Sequence, residues 1–504
     1  MCGIAGEHGL TGPAQGRRML GRLVHRGPDD QGEVRVNGSW LGHRRLSIVD
    51  VNGGHQPLSV AGEQLWLVGN GEVYNHEEVR ASLRPAPFTT RSDNEVALHL
   101  LRERGPAALG ELEGMFAFLA AGADGFFLAA RDPVGIKPLY WARRDGVVRF
   151  ASEIAAFDPE WLPHVETFPP GCHWTPHSGI ERFAAAVTDA ARDPADAADG
   201  LSRADLDATR ETLIASVERQ MMGDVPVGVF LSGGLDSNLV TGIAARLLED
   251  RGERLKTFAV GLEDSADLLA ARAIAAELGT EHFERTYTPE EAIAAVPAVV
   301  RAIEHFDPSL VRSAVPNYLL AELAAEHVKV VLTGEGADEL FAGYEYMHTL
   351  EGPHELHAEL VRSIESLHDL NLQRCDRVTM AHGLEARVPF LDREVIAFAL
   401  GLAPEWKMAG PAEPEKQLLR KAFSGWLPDT LLWRPKSQFG DGSGAASVLS
   451  AHAESQVSDA DLKEEADRLD PPLRTREELA YFRIFAAELP GVRPDRTVSR
   501  FATA

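Results

Sequence analysis

The second residue of the chain is a cysteine, and this position gives it chemistry that an internal cysteine lacks. Once Met1 is removed, Cys2 carries both a thiol and a free α-amino group. The thiolate is the nucleophilic form, and an unperturbed thiol is only partly ionised at neutral pH. An α-amino group, with an ordinary pKa of about 7.7–8.0, is a suitable base for it. A cysteine at this position is also compatible with no function, so other residues must decide.

A glycine-rich turn follows an apolar strand pattern in the middle of the chain. The run VGVFL leads into SGGLDS at residues 232–237, and a helical pattern follows. Two glycines permit a tight turn with outward N–H groups, and the start of the helix adds positive potential. Ser232 and Ser237 supply hydroxyl donors, and Asp236 is a suitable Mg²⁺ ligand. No lysine follows the glycines, so this phosphate-binding turn differs from a Walker A loop.

A second loop with glycines and carboxylates follows another apolar strand pattern. Residues 328–332 lead into TGEGADE at residues 333–339. Asp338 would share a magnesium ion with Asp236, and Glu335 is a candidate acid, base or adenylate-orienting carboxylate. The same string is also compatible with an acidic loop that only caps a helix.

Four segments of the first half support a function for Cys2. They are HRGPDD (25–30), HRRLSIVD (43–50), NGEVYN (70–75) and SDNEV (92–96), and in order and spacing they resemble the class II glutamine amidotransferases. The resemblance implies an α/β/β/α sandwich of four layers, of the Ntn type, with Cys2 as nucleophile. Singly, each segment has an ordinary interpretation, such as a hairpin turn at NG or a solvated charge.

The same resemblance implies a binding site for glutamine. Arg45 would pair with the α-carboxylate of glutamine, which suits a guanidinium fork. Glu72 and Asp93 would hold the substrate ammonium. Asn70 and the backbone N–H of Gly71 would form the oxyanion hole of the tetrahedral intermediate.

The second half resembles the synthetase domain of the glutamine-hydrolysing asparagine synthetases. SGGLDS is similar to the loop of enzymes that cut ATP between its α- and β-phosphates. TGEGADELFAGY, MAHGLEARVPFLD (380–392) and LLWRPKSQFGDG (431–442) match that domain, and the likeness runs from Cys2 to about residue 490. It implies ATP and Mg²⁺ as cofactors, and glutamine and a small carboxylate, aspartate first, as substrates.

The synthetase resemblance also implies roles for individual residues. The implied catalytic residues are Glu335, Tyr344 and Lys436, of which Lys436 would stabilise charge near the activated acyl phosphate. The implied metal ligands are Asp236 and Asp338. The implied acceptor-binding residues are Arg312, Glu339 and Arg387. The implied ATP-binding residues are Leu231, Ser232, Gly233, Gly234, Asp236, Ser237, Val260, Thr333 and Gly334.

The acceptor side departs from the family pattern. Bacterial members tend to carry a Thr-Thr pair before Ile-Arg, whereas this chain has Ser309-Leu310 before Val311-Arg312. Arg312 suits a carboxylate substrate, but Leu310 removes a hydroxyl, and such a change can alter what a site admits. Aspartate is the expected acceptor, and a different carboxylate or nitrogen donor stays open.

Two other functions fit the same family less well. Ring-forming relatives, such as β-lactam or lasso-peptide cyclases, tend to lose the glutaminase nucleophile, which this chain keeps. A non-catalytic homologue with a binding or regulatory role is disfavoured because both sets of site residues are present.

The length and pattern of the chain predict how these residues are positioned. With 504 residues, the chain is too long to fold around a single hydrophobic core. Residues 1–185 alternate short apolar runs with turns, which predicts packed β-sheets for the glutaminase domain. Residues 186–200, rich in Ala, Asp and Pro, are the predicted linker. Residues 201–504 alternate strands with helices and then become mostly helical, so we expect a parallel α/β nucleotide-binding domain with added helices. The predicted fold class is therefore mixed, α/β and α+β, in two domains.

The composition limits the partners of the protein. The net charge of −26 disfavours nucleic acid and anionic lipid. The start of the chain lacks the pattern of a signal peptide, and we see no apolar run of about 20 residues, so no membrane span is expected. Cys2, Cys172 and Cys375 are too few and too scattered for a disulfide framework, which favours the cytoplasm. A homodimer is expected from the family resemblance alone.

Overall fold

The computed structural model describes residues 2–10, 15–60, 62, 64–84, 87–195, 200–263, 265–408, 410, 413–434 and 444–501. Within these residues the chain forms three β-sheets with helices on their faces. No helix among them is both long and apolar enough to cross a membrane.

Two antiparallel sheets of six strands each form the first part of the chain. The first sheet has the spatial order β10 (Val165–Thr167), β8 (Tyr140–Arg144), β9 (Val147–Ala151), β1 (Cys2–His8), β3 (Ser39–Arg45) and β2 (Asp30–Val36). The second has the order β12 (Gly179–Arg182), β11 (Cys172–Thr175), β7 (Phe127–Arg131), β6 (Gly114–Gly122), β5 (Leu65–Val73) and β4 (Leu58–Ser59).

The two sheets pack face to face through their apolar side chains. Ile4 and Leu41 of the first sheet share one buried cluster with Leu119 and Phe127 of the second. Period-two alternation puts every second residue of a strand on this inner face. The segment therefore folds as the predicted sandwich of two sheets.

Helices cover the outer faces of the sandwich. Helix α1 (Gly16–Gly21) places Met19 against Trp40 of the first sheet. Helices α2 (His76–Ser82) and α3 (Glu95–Arg104) lie on the second sheet, where Val96 and Leu98 join a separate buried cluster. The layer order α/β/β/α confirms the predicted fold of this half.

A third sheet, which is parallel, organises the second half. Its spatial order is β15 (Glu281–Thr286), β14 (Lys256–Gly261), β13 (Val227–Phe230), β16 (Val330–Leu332) and β17 (Glu385–Arg387). Helix α4 (Arg203–Gln220) precedes β13, and the helices that connect the strands are α5 (Leu235–Glu249), α6 (Ala266–Glu277), α7 (Pro289–Ile303) and α8 (Pro308–Ala325). The central strands are short and almost wholly apolar because helices cover both faces. The predicted parallel α/β sheet is confirmed.

The chain then becomes mainly helical, as the sequence predicted. The remaining helices are α9 (Ala337–Leu340), α10 (Pro353–Ser366), α11 (Asn371–Met380), α12 (Arg393–Gly401), α13 (Gln417–Ala422), α14 (Asp429–Leu432), α15 (Ala445–Ser455), α16 (Asp459–Glu465), α17 (Arg476–Glu488) and α18 (Pro494–Thr497).

The predicted linker lies between the sandwich and the parallel sheet. Strand β12 ends at Arg182, and α4 begins at Arg203 after a capping box between Ser202 and Asp205. Val187 and Ala191 are buried in the largest apolar cluster, so this part of the segment packs against the protein. Residues 196–199 lie outside the described residues, and the boundaries at 185 and 200 stay a prediction.

Candidate active sites

Cys2 is the first residue of β1, an inner strand of the first sheet. It is almost wholly buried, with 7% of its surface exposed. It pairs with Arg45 across β1 and β3. Its backbone N–H donates to Oδ1 of Asn70, at 2.9 Å, on the facing sheet. Burial raises the pKa of the Cys2 thiol, against a hydrogen bond from the Leu46 backbone that lowers it. A nucleophilic Cys2 therefore needs a base, such as the α-amino group exposed by removal of Met1.

Asn70 presents a side-chain donor next to Cys2, and Gly71 follows it on the same strand. The Asn70 side chain uses Oδ1 for Cys2, while its Nδ2 is buried and has no hydrogen-bond partner among the described residues. Gly71 has φ +138°, and an added Cβ would lie 1.9 Å from the Met115 carbonyl oxygen, so only glycine fits. Asn94 donates to the Gly71 carbonyl at 3.0 Å and fixes that peptide. A buried donor without a partner is uncommon, and it suits an oxyanion that forms during the reaction.

Glu72 and Asp93 place two buried carboxylates beside this site. Burial raises the pKa of both groups, and for Glu72 the neighbouring Glu385 and Asp93 raise it further. Asp93 accepts the Val73 backbone N–H at 2.7 Å, whereas Oε2 of Glu72 has no hydrogen-bond partner among the described residues. A cation bound here, such as a substrate ammonium, would remove the cost of burying the negative charge.

Arg45 lies next to Cys2, but its guanidinium already forms hydrogen bonds with a loop of the protein. Its guanidinium donates to the carbonyl oxygens of Val49, Asp50 and Val51 at 3.1, 2.8 and 3.2 Å. These contacts shape the loop that follows β3. The predicted bond from Arg45 to the glutamine carboxylate stays a prediction.

A cavity of about 650 Å³ opens at the carboxyl ends of the parallel strands. It brings together most of the residues predicted for the synthetase site. The predicted residues that line it are Ser232, Gly233, Gly234, Asp236, Ser237, Arg312, Thr333, Gly334, Glu335, Asp338, Glu339 and Tyr344. Their convergence follows from the parallel sheet, because strand ends of the same polarity meet at one edge.

Three of the predicted residues do not line the cavity, and one falls outside the described residues. The side chains of Leu231 and Val260 are buried in apolar clusters, and their predicted contact with ATP stays a prediction. Arg387, predicted to bind the acceptor, lies instead beneath the glutaminase site, where it pairs with Glu385 at 2.6 Å and approaches Glu72 at 3.8 Å. Its strand β17 is the sheet edge that meets the sandwich, so its side chain points toward that half. Lys436 is not among the described residues.

The loop at residues 232–237 is held by its own hydroxyl groups. The Oγ atoms of Ser232 and Ser237 lie 3.0 Å apart, and Ser237 donates to the Gly234 carbonyl at 3.1 Å. A Cβ on Gly334 would lie 2.8 Å from Cβ of Asp236, so glycine lets the second loop pack against the first. The two loops therefore form one continuous lining.

Lys416 joins the two predicted metal ligands, a role that the sequence gave no reason to assign. Its Nζ lies 2.5 Å from Oδ2 of Asp236 and 2.6 Å from Oδ1 of Asp338. Burial lowers the pKa of the Lys416 ammonium, but the two carboxylates outweigh it and hold that pKa above its ordinary value. The lysine precedes α13 with a left-handed backbone, φ +57°.

These two carboxylates suit Mg²⁺ only together with other ligands. No group of three or more His, Cys, Asp or Glu able to hold a metal occurs in the described part of the chain. Mg²⁺ is commonly bound by one or two carboxylates together with substrate phosphates. Asp236 and Asp338 meet that requirement when phosphates complete the coordination.

Glu335 and Glu339 contact different partners within the cavity. Glu335 forms an ion pair with Arg374 of α11, and burial raises the pKa of Glu335. Glu339 accepts from the Tyr344 hydroxyl at 2.6 Å and from Asn371 at 3.1 Å. Burial, followed by the charge of Asp338, raises the pKa of Glu339 to about 7.

Helix α8 supplies the side of the cavity that the sequence predicts to bind the acceptor. Ser309, Arg312 and Ser313 line the cavity, and Arg374 donates to the Ser313 hydroxyl at 2.8 Å. The sequence predicts that Leu310 alters the contacts with the acceptor. In the structure this side chain is 1% exposed and packs into the core. The hydroxyl groups on this side therefore come from Ser309 and Ser313.

A buried cluster of charges joins the two halves, and the sequence did not predict it. Arg26 of the sandwich contacts Glu153 at 2.8 Å and Asp376 of α11 at 2.9 Å. Arg377, one residue further along α11, contacts Glu153 at 3.0 Å and Glu304 at 2.8 Å. One helix therefore lines the synthetase cavity and also contacts the sandwich that carries Cys2.

Fold and sites together define a class of protein: a glutamine amidotransferase half joined to a nucleotide-dependent synthetase half. Residues 1–167 match the glutamine amidotransferase domain family, and residues 208–352 and 348–479 match the asparagine synthase family. The chain belongs to the family of glutamine-hydrolysing asparagine synthetases.

Curated relatives match over almost the whole chain. Asparagine synthetase [glutamine-hydrolyzing] 3 of Arabidopsis thaliana is 39% identical over 91% of this chain and 82% of that protein. Asparagine synthetase [glutamine-hydrolyzing] of Sandersonia aurantiaca is 37% identical over 96% of this chain and 95% of that protein. Among solved structures, the glutamine phosphoribosylpyrophosphate amidotransferase from B. subtilis is similar at 19% identity and a TM-score of 0.33, over 56% of this chain and 81% of that one.

Proposed function

We propose that this protein is a ligase that uses glutamine and ATP to amidate a small carboxylate, with aspartate converted to asparagine. One observation carries the proposal. The buried Nδ2 of Asn70 has no partner among the described residues and lies on the same side chain that holds the Cys2 backbone at 2.9 Å. A vacant donor at a buried thiol suits hydrolysis of an amide, which is the first half of such a reaction.

In the glutaminase half, the thiolate of Cys2 attacks the side-chain amide carbon of glutamine. The α-amino group of the processed chain takes the thiol proton and returns a proton to the leaving ammonia. Asn70 Nδ2 and the Gly71 N–H donate to the oxyanion, and water then hydrolyses the thioester to glutamate. Glu72 and Asp93 bind the substrate ammonium and Arg45 its carboxylate.

In the synthetase half, a carboxylate oxygen of the acceptor attacks the α-phosphorus of ATP, and pyrophosphate leaves. Ammonia then attacks the acyl carbon of the adenylate, AMP leaves, and Glu335 takes the surplus proton. Ser232, Ser237 and the loop N–H groups bind the phosphates, and Arg312 binds the acceptor. We assign Lys436 the role of stabilising the charge that develops near the acyl phosphate.

We further propose Asp236 and Asp338 as ligands of Mg²⁺ in the ATP complex. When bound, the ion supplies positive charge to the departing pyrophosphate. Lys416, which contacts both carboxylates, keeps them together and adds a second positive charge to the same region.

A pyrophosphate-release assay with a panel of amino acids tests this function. We expect release that depends on aspartate and on either glutamine or ammonia, with asparagine and AMP as products. A Cys2→Ala variant should lose glutamine-dependent synthesis and keep ammonia-dependent synthesis, because the thiol acts only in glutamine hydrolysis. Loss of both activities in a folded variant would contradict the assignment of two separate sites.

We also propose a cellular location and an assembly state for the protein. Cys2, Cys172 and Cys375 are all unpaired and buried, which suits the reducing cytoplasm that we propose. A homodimer follows only from the family resemblance, and analytical ultracentrifugation of the purified protein tests it.

A further inference from the structure

One wall of the synthetase cavity is a short extended segment that the proposed function leaves without a role. Residues 499–501 follow α18, and all three line the cavity. They lie more than a hundred residues from the loops that bind ATP and belong to none of the motifs identified in the sequence. Their contacts explain why they lie there.

His305 fixes the backbone of the segment. Its Nδ1 accepts the N–H groups of Phe306 and Asp307, each at 3.0 Å. The ring proton of the neutral imidazole is therefore on Nε2, which donates to the Ser499 carbonyl at 2.7 Å. Because His305 is fully buried, its pKa is lowered and the ring stays neutral near pH 7. Both ring nitrogens thus serve to hold backbone groups.

Asp307 connects the segment to the acceptor side of the cavity. Its Oδ1 accepts the backbone N–H of Ser309 at 2.9 Å and caps the start of α8. Its Oδ2 accepts the backbone N–H of Phe501 at 3.0 Å. One carboxylate therefore sets the distance between the segment and the helix that carries Ser309, Arg312 and Ser313.

A second anchor lies at the start of α17. Arg500 donates from Nη1 to Oε1 of Glu478 at 2.8 Å, and Arg474 donates to the Phe501 carbonyl at 2.6 Å. Glu478 is fully buried, and its Oε2 accepts the backbone N–H of Arg474 at 2.6 Å. Charge-assisted bonds of this kind are among the stronger ones in a protein.

We propose that residues 499–501 form the acceptor-side wall of the synthetase cavity and set the size of carboxylate it admits, with Arg500 as a positioning residue. The inference rests on the proposed function, because it takes the cavity to hold an acceptor beside ATP. Ser499 limits the space next to α8, and Arg500 holds the wall in place through Glu478. Neither side chain takes part in the chemistry.

Steady-state kinetics of the full chain with ammonia as nitrogen donor test the proposal. For Arg500→Ala we expect the KM for aspartate to rise at least about tenfold, with the KM for ATP within about twofold and glutamine hydrolysis unchanged. Arg500→Lys should restore part of the affinity for aspartate. Ser499→Leu, which removes no anchor, should also raise the KM for aspartate and should lower the rate with glutamate further.

Arg496→Ala provides the matched control. This arginine lies four residues before Arg500 and pairs with Glu166 at 2.7 Å on the surface, with both side chains more than a third exposed. Its removal should leave every KM within about twofold, since surface ion pairs contribute little. If the loss of any arginine near the segment raised the KM for aspartate, Arg496→Ala would raise it too.

The outcomes separate this inference from the function on which it rests. If the wild-type protein amidates no carboxylate of the panel, the proposed function fails and the inference fails with it. If the wild type is active and both Arg500→Ala and Ser499→Leu keep the wild-type KM for aspartate, the wall does not select the acceptor. Should Arg500→Ala fail to fold, as judged by its glutamine hydrolysis and melting temperature, Ser499→Leu and Arg500→Lys decide.

Discussion

Arg26 and Asp376 form an ion pair of 2.9 Å that connects the two halves of the protein beside Cys2, the proposed nucleophile. The same arginine donates from Nε to the carbonyl oxygen of Cys2 at 3.1 Å. Asp376 lies two residues after Arg374, whose guanidinium contacts Glu335 in the synthetase cavity. Helix α11 thus links a carboxylate of one site to the backbone of the nucleophile in the other.

This link predicts an unequal effect of Asp376→Asn on the two nitrogen sources. With the charge removed, Arg26 loses a partner and holds the Cys2 backbone less firmly. We expect glutamine-dependent synthesis to fall about tenfold, since small displacements of a nucleophile are costly, and ammonia-dependent synthesis to fall less than about threefold. The ratio of the two rates, measured by asparagine formation, is the readout.

Asp158→Asn is the control for this prediction. Asp158 is equally buried and pairs with Arg149 at 3.0 Å, but it lies within the sandwich. Removing one partner of a buried pair costs about 3–5 kcal/mol, so both variants should melt earlier. Only Asp376→Asn should change the ratio, and an equal fall of both rates in that variant would show that the ion pair has no part in coupling.

Lys416→Met should disable the synthetase half alone. The lysine holds Asp236 and Asp338 together, and without it two carboxylates face ATP phosphates with less positive charge nearby. We expect ammonia-dependent pyrophosphate release to fall at least ~10²-fold, as for other charge-stabilising groups, while glutamine hydrolysis stays within about twofold. Lys421→Ala, which removes an exposed lysine on the helix α13 that follows Lys416, should leave both activities unchanged. Substantial pyrophosphate release by Lys416→Met would remove this lysine from the nucleotide site.

The contrast between Lys416 and the loop at residues 232–237 shows what the sequence could reveal. Ser232 and Ser237 meet because they are five residues apart across one turn, so the local sequence determines their geometry. Lys416 lies 180 residues from Asp236 and reaches it only after the whole domain has folded. No pattern around EPEKQLLRK marks that contact.

The layers of the sandwich could be predicted because alternation and turns are local features, which a family resemblance reinforces. The contacts of Arg387 and Arg26 could not be predicted because they depend on the tertiary fold. Arg387 was assigned to the acceptor from its motif alone, and the direction of its side chain depends on β17 lying at the edge that meets the sandwich. Arg26 is the second residue of HRGPDD, but its partner Asp376 lies in the other half of the chain.

Asn70→Ala tests the oxyanion hole. The change removes the buried Nδ2 donor, together with the Oδ1 that accepts the Cys2 N–H, and leaves the Gly71 N–H in place. Loss of one such donor costs about 10²–10³-fold in kcat, so glutamine hydrolysis should fall by that factor with little change in KM. Ammonia-dependent synthesis should persist. Asn75→Ala, five residues on at the start of α2, should have no such effect on kcat. A rise in KM alone would assign Asn70 to substrate binding.

The raised pKa of Glu339 predicts a loss of stability as pH rises. Its folded pKa of about 7 exceeds the ordinary value of 4.5, so the folded protein holds this proton more tightly than the unfolded chain. The resulting stabilisation is complete below about pH 4.5 and disappears as pH passes 7, a change of up to ~3 kcal/mol. Glu339→Gln, which stays neutral, should flatten the pH dependence of the melting temperature between these limits. Glu345→Gln, an exposed neighbour, should keep the wild-type slope. Parallel curves for the wild type and Glu339→Gln would mean that Glu339 is already ionised at pH 5.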